Sequence, residues 1–210
     1  MRTLEEMELH MNKLKQLQVY NGGHILNDAM VSYRNKQAEQ INDITGIKCY
    51  NVLDDKSIND KANAEQTKLA ERILNNDFKA MQESDIFVFD ILNEGLGTIS
   101  ELGILLGMKH QAEYTIKKLD EASDSYGFLP DDKFDELYKE SKELLNKPVL
   151  IYCSDIRQGH GKAYDNPDRA EFSTNQFVYG MVLELTNGEG FISWNEVLNR
   201  LVHLGSDANV

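Results

Sequence analysis

Asp85-Ile-Phe-Val-Phe-Asp90, followed after a short loop by Gly95-Leu-Gly-Thr-Ile-Ser-Glu-Leu-Gly103, decides the fold. Ile86 to Phe89 is an unbroken apolar run of β-forming residues, the pattern of a strand covered on both faces, as in a parallel sheet. The glycines after it lead into a helix whose first turn holds one glutamate, Glu101. Ligands of open α/β sheets collect at the carboxyl ends of such strands. Asp90, the glycine loop and Glu101 are therefore expected to share one site.

The flanking sequence repeats this rhythm. Residues 18–24 read as a first strand ending in Gly22 and Gly23, a tight turn that lets a ligand approach the backbone. Residues 28–43 read as helix, 46–53 as a second strand, 62–83 as a long helix, 99–109 as the helix carrying Glu101, and 148–153 as another apolar strand. The alternation predicts an α/β fold: a doubly wound parallel sheet of about five strands flanked by helices. Residues 110–146 are polar and mostly helix-forming, with a break at Gly127-Phe-Leu-Pro130, and read as a helical insertion near the strand ends, suited to a lid. Leu4, Met7, Met11 and Leu14 mark residues 1–17 as an amphipathic N-terminal helical extension, covering its own body or a neighbouring subunit. Residues 154–174 read as a long loop with functional potential. Two last elements, 175–185 and 194–204, complete a single domain spanning 1–210, and Ser193 to Glu196 is a capping box for the second of them.

Composition narrows the partners. With 35 Asp+Glu against 22 Lys+Arg, the net charge of −13 repels polyanions, so neither a nucleic-acid polymer nor an anionic membrane is expected, and a small neutral substrate is. The same acidity also serves plain solubility. No secretory signal or membrane span is legible, and Cys49 and Cys153 match no metal-ligand spacing, which predicts a reduced, cytoplasmic protein. The five histidines are scattered; His160, between Gly159 and Gly161, sits in a loop context and reads best as a surface residue, so no metal site is expected. Gly95-Leu-Gly97 lacks the spacing of a dinucleotide or phosphate loop.

Three acids stand out. Glu101 closes the sequence Thr98-Ile-Ser-Glu101, a capping box in which its carboxylate reaches back to the Thr98 amide. The functional alternative uses the same helix N-terminus to keep the carboxylate ionised as a nucleophile toward an anomeric carbon. Asp77 falls on the stripe made by Ala70, Ile73, Leu74, Phe78 and Met81, where a core residue belongs. A buried carboxyl there has a raised pKa and donates a proton; the other account is that Asn76-Asp77 breaks the helix locally and is solvated. Asp90 either binds ligand hydroxyls or caps the loop that follows. Together the three acids favour glycosyl transfer over phosphate or hydride chemistry.

Val19-Tyr20-Asn-Gly-Gly23, Asn76-Asp77, Ser84 to Asp90, Gly97-Thr-Ile-Ser-Glu-Leu-Gly103 and Lys147-Pro-Val-Leu-Ile151 occur in an order that resembles the nucleoside 2-deoxyribosyltransferase family, over about residues 18–182. The resemblance implies a flavodoxin-like sheet, no cofactor, nucleosides and free nucleobases as substrates, and a homo-oligomer with shared active sites. It further implies that Glu101 is the nucleophile forming a deoxyribosyl ester, Asp77 the acid that protonates the departing base, and Tyr20 the group that steadies the nucleophile. Gly22, Gly23 and Gly97 fall in the substrate-binding motifs, and Asn175 resembles an amide donated across the subunit interface. The loop 91–95 lacks the family's acid before its glycine and threonine, which moves the sugar contacts to Asp90, Asn93 or Glu94. Two alternatives stand beside transfer: an N-glycoside hydrolase of deoxynucleoside 5′-monophosphates, and a non-catalytic nucleotide-binding module.

Overall fold

The computed structural model describes residues 16–59, 63, 65–126, 132–158 and 174–207. In chain order these form β1 (Leu17–Gly22), α1 (Asp28–Asn42), β2 (Ile47–Tyr50), a 3-10 turn (Val52–Asp54), the single-turn α2 (Lys56–Asn59), α3 (Leu69–Glu83), β3 (Ile86–Asp90), α4 (Leu96–Tyr126), α5 (Asp132–Asn146), β4 (Val149–Tyr152), α6 (Gln176–Leu185) and α7 (Trp194–Asp207). Residues 1–15 of the helical extension expected over 1–17, the break at 127–130 and most of the loop 154–174, including His160, lie outside the described residues, while Leu17 belongs to β1.

The strands pair in the order β2-β1-β3-β4, every pair parallel. Alternate side chains of each strand feed two separate cores. Tyr20, Phe87, Phe89 and Ile151 point to one face, under Met81 of α3, Leu102 and Leu105 of α4, and Val182 of α6. Val19, Ile86, Val88 and Leu150 point to the other, under Ile41 of α1 and Val197 and Leu201 of α7. Burial on both faces is why the β3 sequence is apolar at consecutive rather than alternate positions. The architecture is the flavodoxin-like α/β fold with helical insertions. About five strands were expected; the described residues form a four-stranded sheet. Beyond β4, where a fifth strand would pair, residues 191–193 run alongside with a single ladder bond, the Ile192 amide donating to the Ile151 carbonyl at 2.9 Å.

Local signals account for most element ends. Asn27 caps α1 by accepting from the Met30 amide at 3.0 Å, and Ser193 caps α7 by accepting from the Glu196 amide at 3.1 Å. Two expectations change. α3 starts at Leu69 rather than near residue 62, directly after Lys68 in the left-handed region at φ 56°. The 110–146 insertion is a helical hairpin, as expected, but it does not stand near the site. Residues 110–126 simply prolong α4, and α5 returns along them. Lys109 donates from Nζ to the Leu145 and Lys147 carbonyls, both at 2.8 Å, just before β4 begins. The prolonged hairpin therefore leaves at the amino ends of the strands, the far end of the sheet from Glu101, and cannot act as a lid over it.

Candidate active site

A cavity of about 320 Å³ opens at the carboxyl ends of β1 and β3, within the lower part of the range usual for small-molecule sites. β1 and the turn after it supply Tyr20, Gly22, Gly23 and His24; the turn after β2 supplies Val52, Ile58 and Asn59; α3 supplies Ile73 and Asp77; the start of α4 supplies Gly97, Thr98 and Glu101. These residues are brought together from four stretches of chain, as the open-sheet rule requires.

α4 begins at Leu96, with the Gly95 carbonyl accepting from the Ile99 amide at 2.9 Å. Thr98 is thus already inside the first turn, and the expected capping box does not form. Glu101 instead turns inward, where its carboxylate accepts a hydrogen bond from the Tyr20 hydroxyl. Tyr20 is itself buried and stacked on Tyr50, with ring centroids 5.7 Å apart. Burial, reinforced by the charge of Asp77, pushes the Glu101 carboxyl up to about 7 despite that hydrogen bond. Burial here works against the helix end, which favours the ionised form but fades within one turn.

Gly22 explains how Glu101 comes so close to the strand. A Cβ on Gly22 would lie 2.6 Å from Cδ1 of Phe89 and 3.1 Å from Oε2 of Glu101. A side chain on Gly23 would run into the Arg34 guanidinium. Neither position has room for an alanine without displacing a neighbour.

Asp77 reaches the cavity, but the stripe that placed it there is only half apolar burial: Met81 is buried, whereas Leu74 and Phe78 are exposed. Burial and the nearby charge of Asp55 raise the Asp77 carboxyl to about 6. Its Oδ1 is buried without a hydrogen-bond partner. The same holds for Nδ1 of His24 and for both amide atoms of Asn21, which also line the cavity. Buried polar atoms left unpaired are costly, and a site that awaits a polar ligand is a physical reason to keep them.

Asp90 lies elsewhere. It is fully buried, ion-paired with Arg34, and accepts from the Ser154 amide at 2.9 Å and the Ser154 hydroxyl at 2.7 Å. Arg34 also donates to the Tyr152 hydroxyl at 2.7 Å, as does Gln37 at 2.6 Å. Asp90 is not among the cavity-lining residues, and neither are Asn93 and Asn175; Glu94 is. Asn175 caps α6, accepting from the amides of Phe177 at 2.9 Å and Val178 at 3.4 Å. The described lining residues include no lysine or arginine. Among the described residues no group of three or more His, Cys, Asp or Glu is placed to hold a metal ion, and no helix is long and apolar enough to cross a membrane.

Reading the sequence missed Asn21, His24, Arg34 and the wall formed by Val52 and Ile58. Asn21 did carry a signal, as a polar residue at the end of a strand buried on both faces. Arg34 carried none, because one arginine in an ordinary helix looks like surface.

No protein-family model matches the chain, and no curated protein does. Among solved structures, a conserved protein from Enterococcus faecalis V583 superposes with a TM-score of 0.55 at 18% identity, over 90% of this chain and 99% of its own. That likeness supports the α/β fold. A 2-deoxyribosyltransferase from Bacillus psychrosaccharolyticus aligns over 87% of this chain and 90% of its own, at 13% identity and a TM-score of 0.41.

Proposed function

We propose that this chain transfers 2-deoxyribose between nucleobases through a covalent deoxyribosyl ester on Glu101. One observation carries the reading: two acids with raised pKa values, Glu101 and Asp77, share one small cavity at the carboxyl end of the sheet, with no lysine or arginine among its described lining residues and a tyrosine hydroxyl on one of them. The order of sequence motifs supports it independently.

In this mechanism the Glu101 carboxylate attacks C1′ as the bond to the base breaks, and Asp77 gives its proton to the leaving base. Tyr20 holds the attacking carboxylate in line. The positive charge that builds on the sugar ring is stabilised by the carboxylate in a site of low polarity. A second base then attacks C1′ of the ester, returning its proton to Asp77, so two inversions give retention. Glu94, Asn21 and His24 are placed to hold the sugar. Because Glu101 must be ionised while Asp77 keeps its proton, the pair works with one shared proton, and activity should trace a bell with limbs near pH 6 and 7.

A phosphate would call for cationic neighbours, and the described lining offers no lysine or arginine, which favours nucleosides over nucleotides and transfer over monophosphate hydrolysis. A binding-only scaffold has no need of two uncompensated acids. The shared-site oligomer is part of this proposal: Leu26 and Leu96 stand at the cavity with 78% and 73% of their surface exposed, and Asn175 does not line the cavity of its own chain. The test is incubation with a deoxynucleoside and a different free base. Exchange of base, with a protein mass increase of one deoxyribosyl group on Glu101 when no acceptor is added, supports the reading. Free sugar without exchange would replace it with hydrolysis, and no turnover with any deoxynucleoside would sink it.

A further inference from the structure

The turn after β2 does more than wall the cavity. Asp55 sits there among three hydrogen bonds to its side chain and one neighbour on another element. Its Oδ1 accepts from the Ser57 amide at 2.9 Å and the Ser57 hydroxyl at 2.6 Å, and its Oδ2 accepts from the Asn76 side-chain amide at 2.8 Å. Asn76 directly precedes Asp77 on α3. The same turn is pinned from behind, with the Asn59 side chain donating to the Val52 carbonyl at 2.6 Å and Ile58 buried to 1% exposure against the cavity. A carboxylate is thus fastened, by Ser57 of its own turn and Asn76 of the adjoining helix, beside the residue proposed as the acid.

We propose that Asp55 is a positioning residue whose fixed negative charge keeps Asp77 in its proton-carrying form and whose bond to Asn76 sets the helix turn that aims Asp77 into the cavity. This rests on the reading of Asp77 as the acid. It goes beyond that reading in naming a residue outside the cavity that tunes it.

The electrostatics run in a consistent direction. Three donors hold the Asp55 carboxyl below its ordinary value, so it is ionised while Asp77 still carries its proton. Asp77 is raised first by burial and then by Asp55. The other titratable groups around the cavity are Glu101 on α4, Glu94 just before it, Tyr20 on β1, His24 in the turn after it and Tyr50 on β2, and the described lining contains no lysine or arginine. With no lysine or arginine in the described lining to offset it, a carboxylate next to a buried acid shifts the acid's titration by a sizeable amount. An amide oxygen at position 55 still accepts both Ser57 bonds, and the link to Asn76 survives there once the Asn76 amide turns its own oxygen towards the new NH2. The charge is what the acid needs.

The test begins with the unaltered protein and no substrate. Carbon-13 titration of the side-chain carboxyls should show Asp55 losing its proton at lower pH than Asp77. Asp77 titrating first would overturn the proposal. In Asp55→Asn, which keeps the size and one of the two acceptor oxygens, Asp77 should titrate about one pH unit lower, and Asp55→Glu should restore it towards the original value. With active enzyme, the low-pH limb of the bell should move down by the same interval. Turnover of a poor leaving base should fall roughly tenfold, while a base that departs without help is nearly unaffected. An Asp55→Asn protein that loses activity equally for both bases, with Asp77 titrating where it did before, would make Asp55 merely structural and overturn the proposal. Should Asp55→Asn fail to fold, Ser57→Ala loosens the same carboxylate and predicts the same direction with a smaller shift. The titrations use no substrate, so they stand or fall separately from base exchange: a shifted Asp77 in a protein without transferase activity would defeat the function and leave the coupling intact.

Discussion

Two acids on either side of the same loop, Asp90 before it and Glu101 after it, are treated in opposite ways. Asp90, at the end of β3, is paired with Arg34 and saturated by Ser154, tying β3, the segment after β4, and α1 into one knot. Glu101, one loop later, is partly buried with only a tyrosine hydroxyl for company and a second acid nearby. Paired charge under a sheet serves assembly, whereas charge buried without a counter-ion costs stability, a pattern that clusters at functional sites.

The sharpest way to break this contrast is at Glu101 itself. Glu101→Ala should reduce base exchange by about a thousand-fold or more, since the nucleophile is removed, while denaturation shows a fold at least as stable as before. Retained exchange would move the chemistry elsewhere. Next in size, Arg34→Met should destabilise the protein by roughly 3–5 kcal/mol by stranding Asp90. Exchange by the folded fraction should persist, and a chemical-denaturation series read beside an activity assay checks both halves. If Arg34→Met were neutral for stability and fatal for turnover, Asp90 would belong to the site after all.

Stability against pH separates the two regions more gently. Glu101 has a folded pKa of about 7 against an ordinary value of 4.5, so the folded protein binds more protons than the unfolded chain across that interval. Stability contributed by this group is full below the lower value and falls as pH rises towards 7. Asp77 acts in the same sense up to about 6. Glu101→Gln should therefore match the parent near pH 4 and exceed it by about 2–3 kcal/mol above pH 7, measured by urea unfolding at the two pH values. A gain at pH 4 and none at pH 8 would reverse the sign and contradict the burial of an uncompensated acid. The smallest effect belongs to Asp77→Asn, which should slow bases that leave poorly without a proton about a hundred-fold and leave good leaving bases nearly unchanged; equal slowing of both would end its role as acid.

Much of the frame was legible from local pattern. The apolar run 86–89, the glycine turn at 22–23 and the order of strands and helices follow from periodicity and turn chemistry, which act over a few residues. The helix caps at Asn27 and Ser193 are equally local. Less legible was the insertion: polarity announced that residues 110–146 were not core, but only the anchoring of Lys109 to the carbonyls before β4 shows at which end of the sheet they emerge. The Thr98 to Glu101 box misled, because the same four residues fit a helix start and a first turn equally well, and the glycine before them settled the start at Leu96.

By itself, then, the sequence determined an α/β sheet wound on both faces, and put Glu101 and Asp77 forward as acids out of place. Tertiary structure alone decided that Asp90 is spent on Arg34, that Asp77 arrives beside Glu101 from a different helix, and that Asp55 stands behind it. The physical reason is range: apolar periodicity is written along the chain, while the protonation of a carboxyl depends on which charges and how much water the folded chain leaves around it.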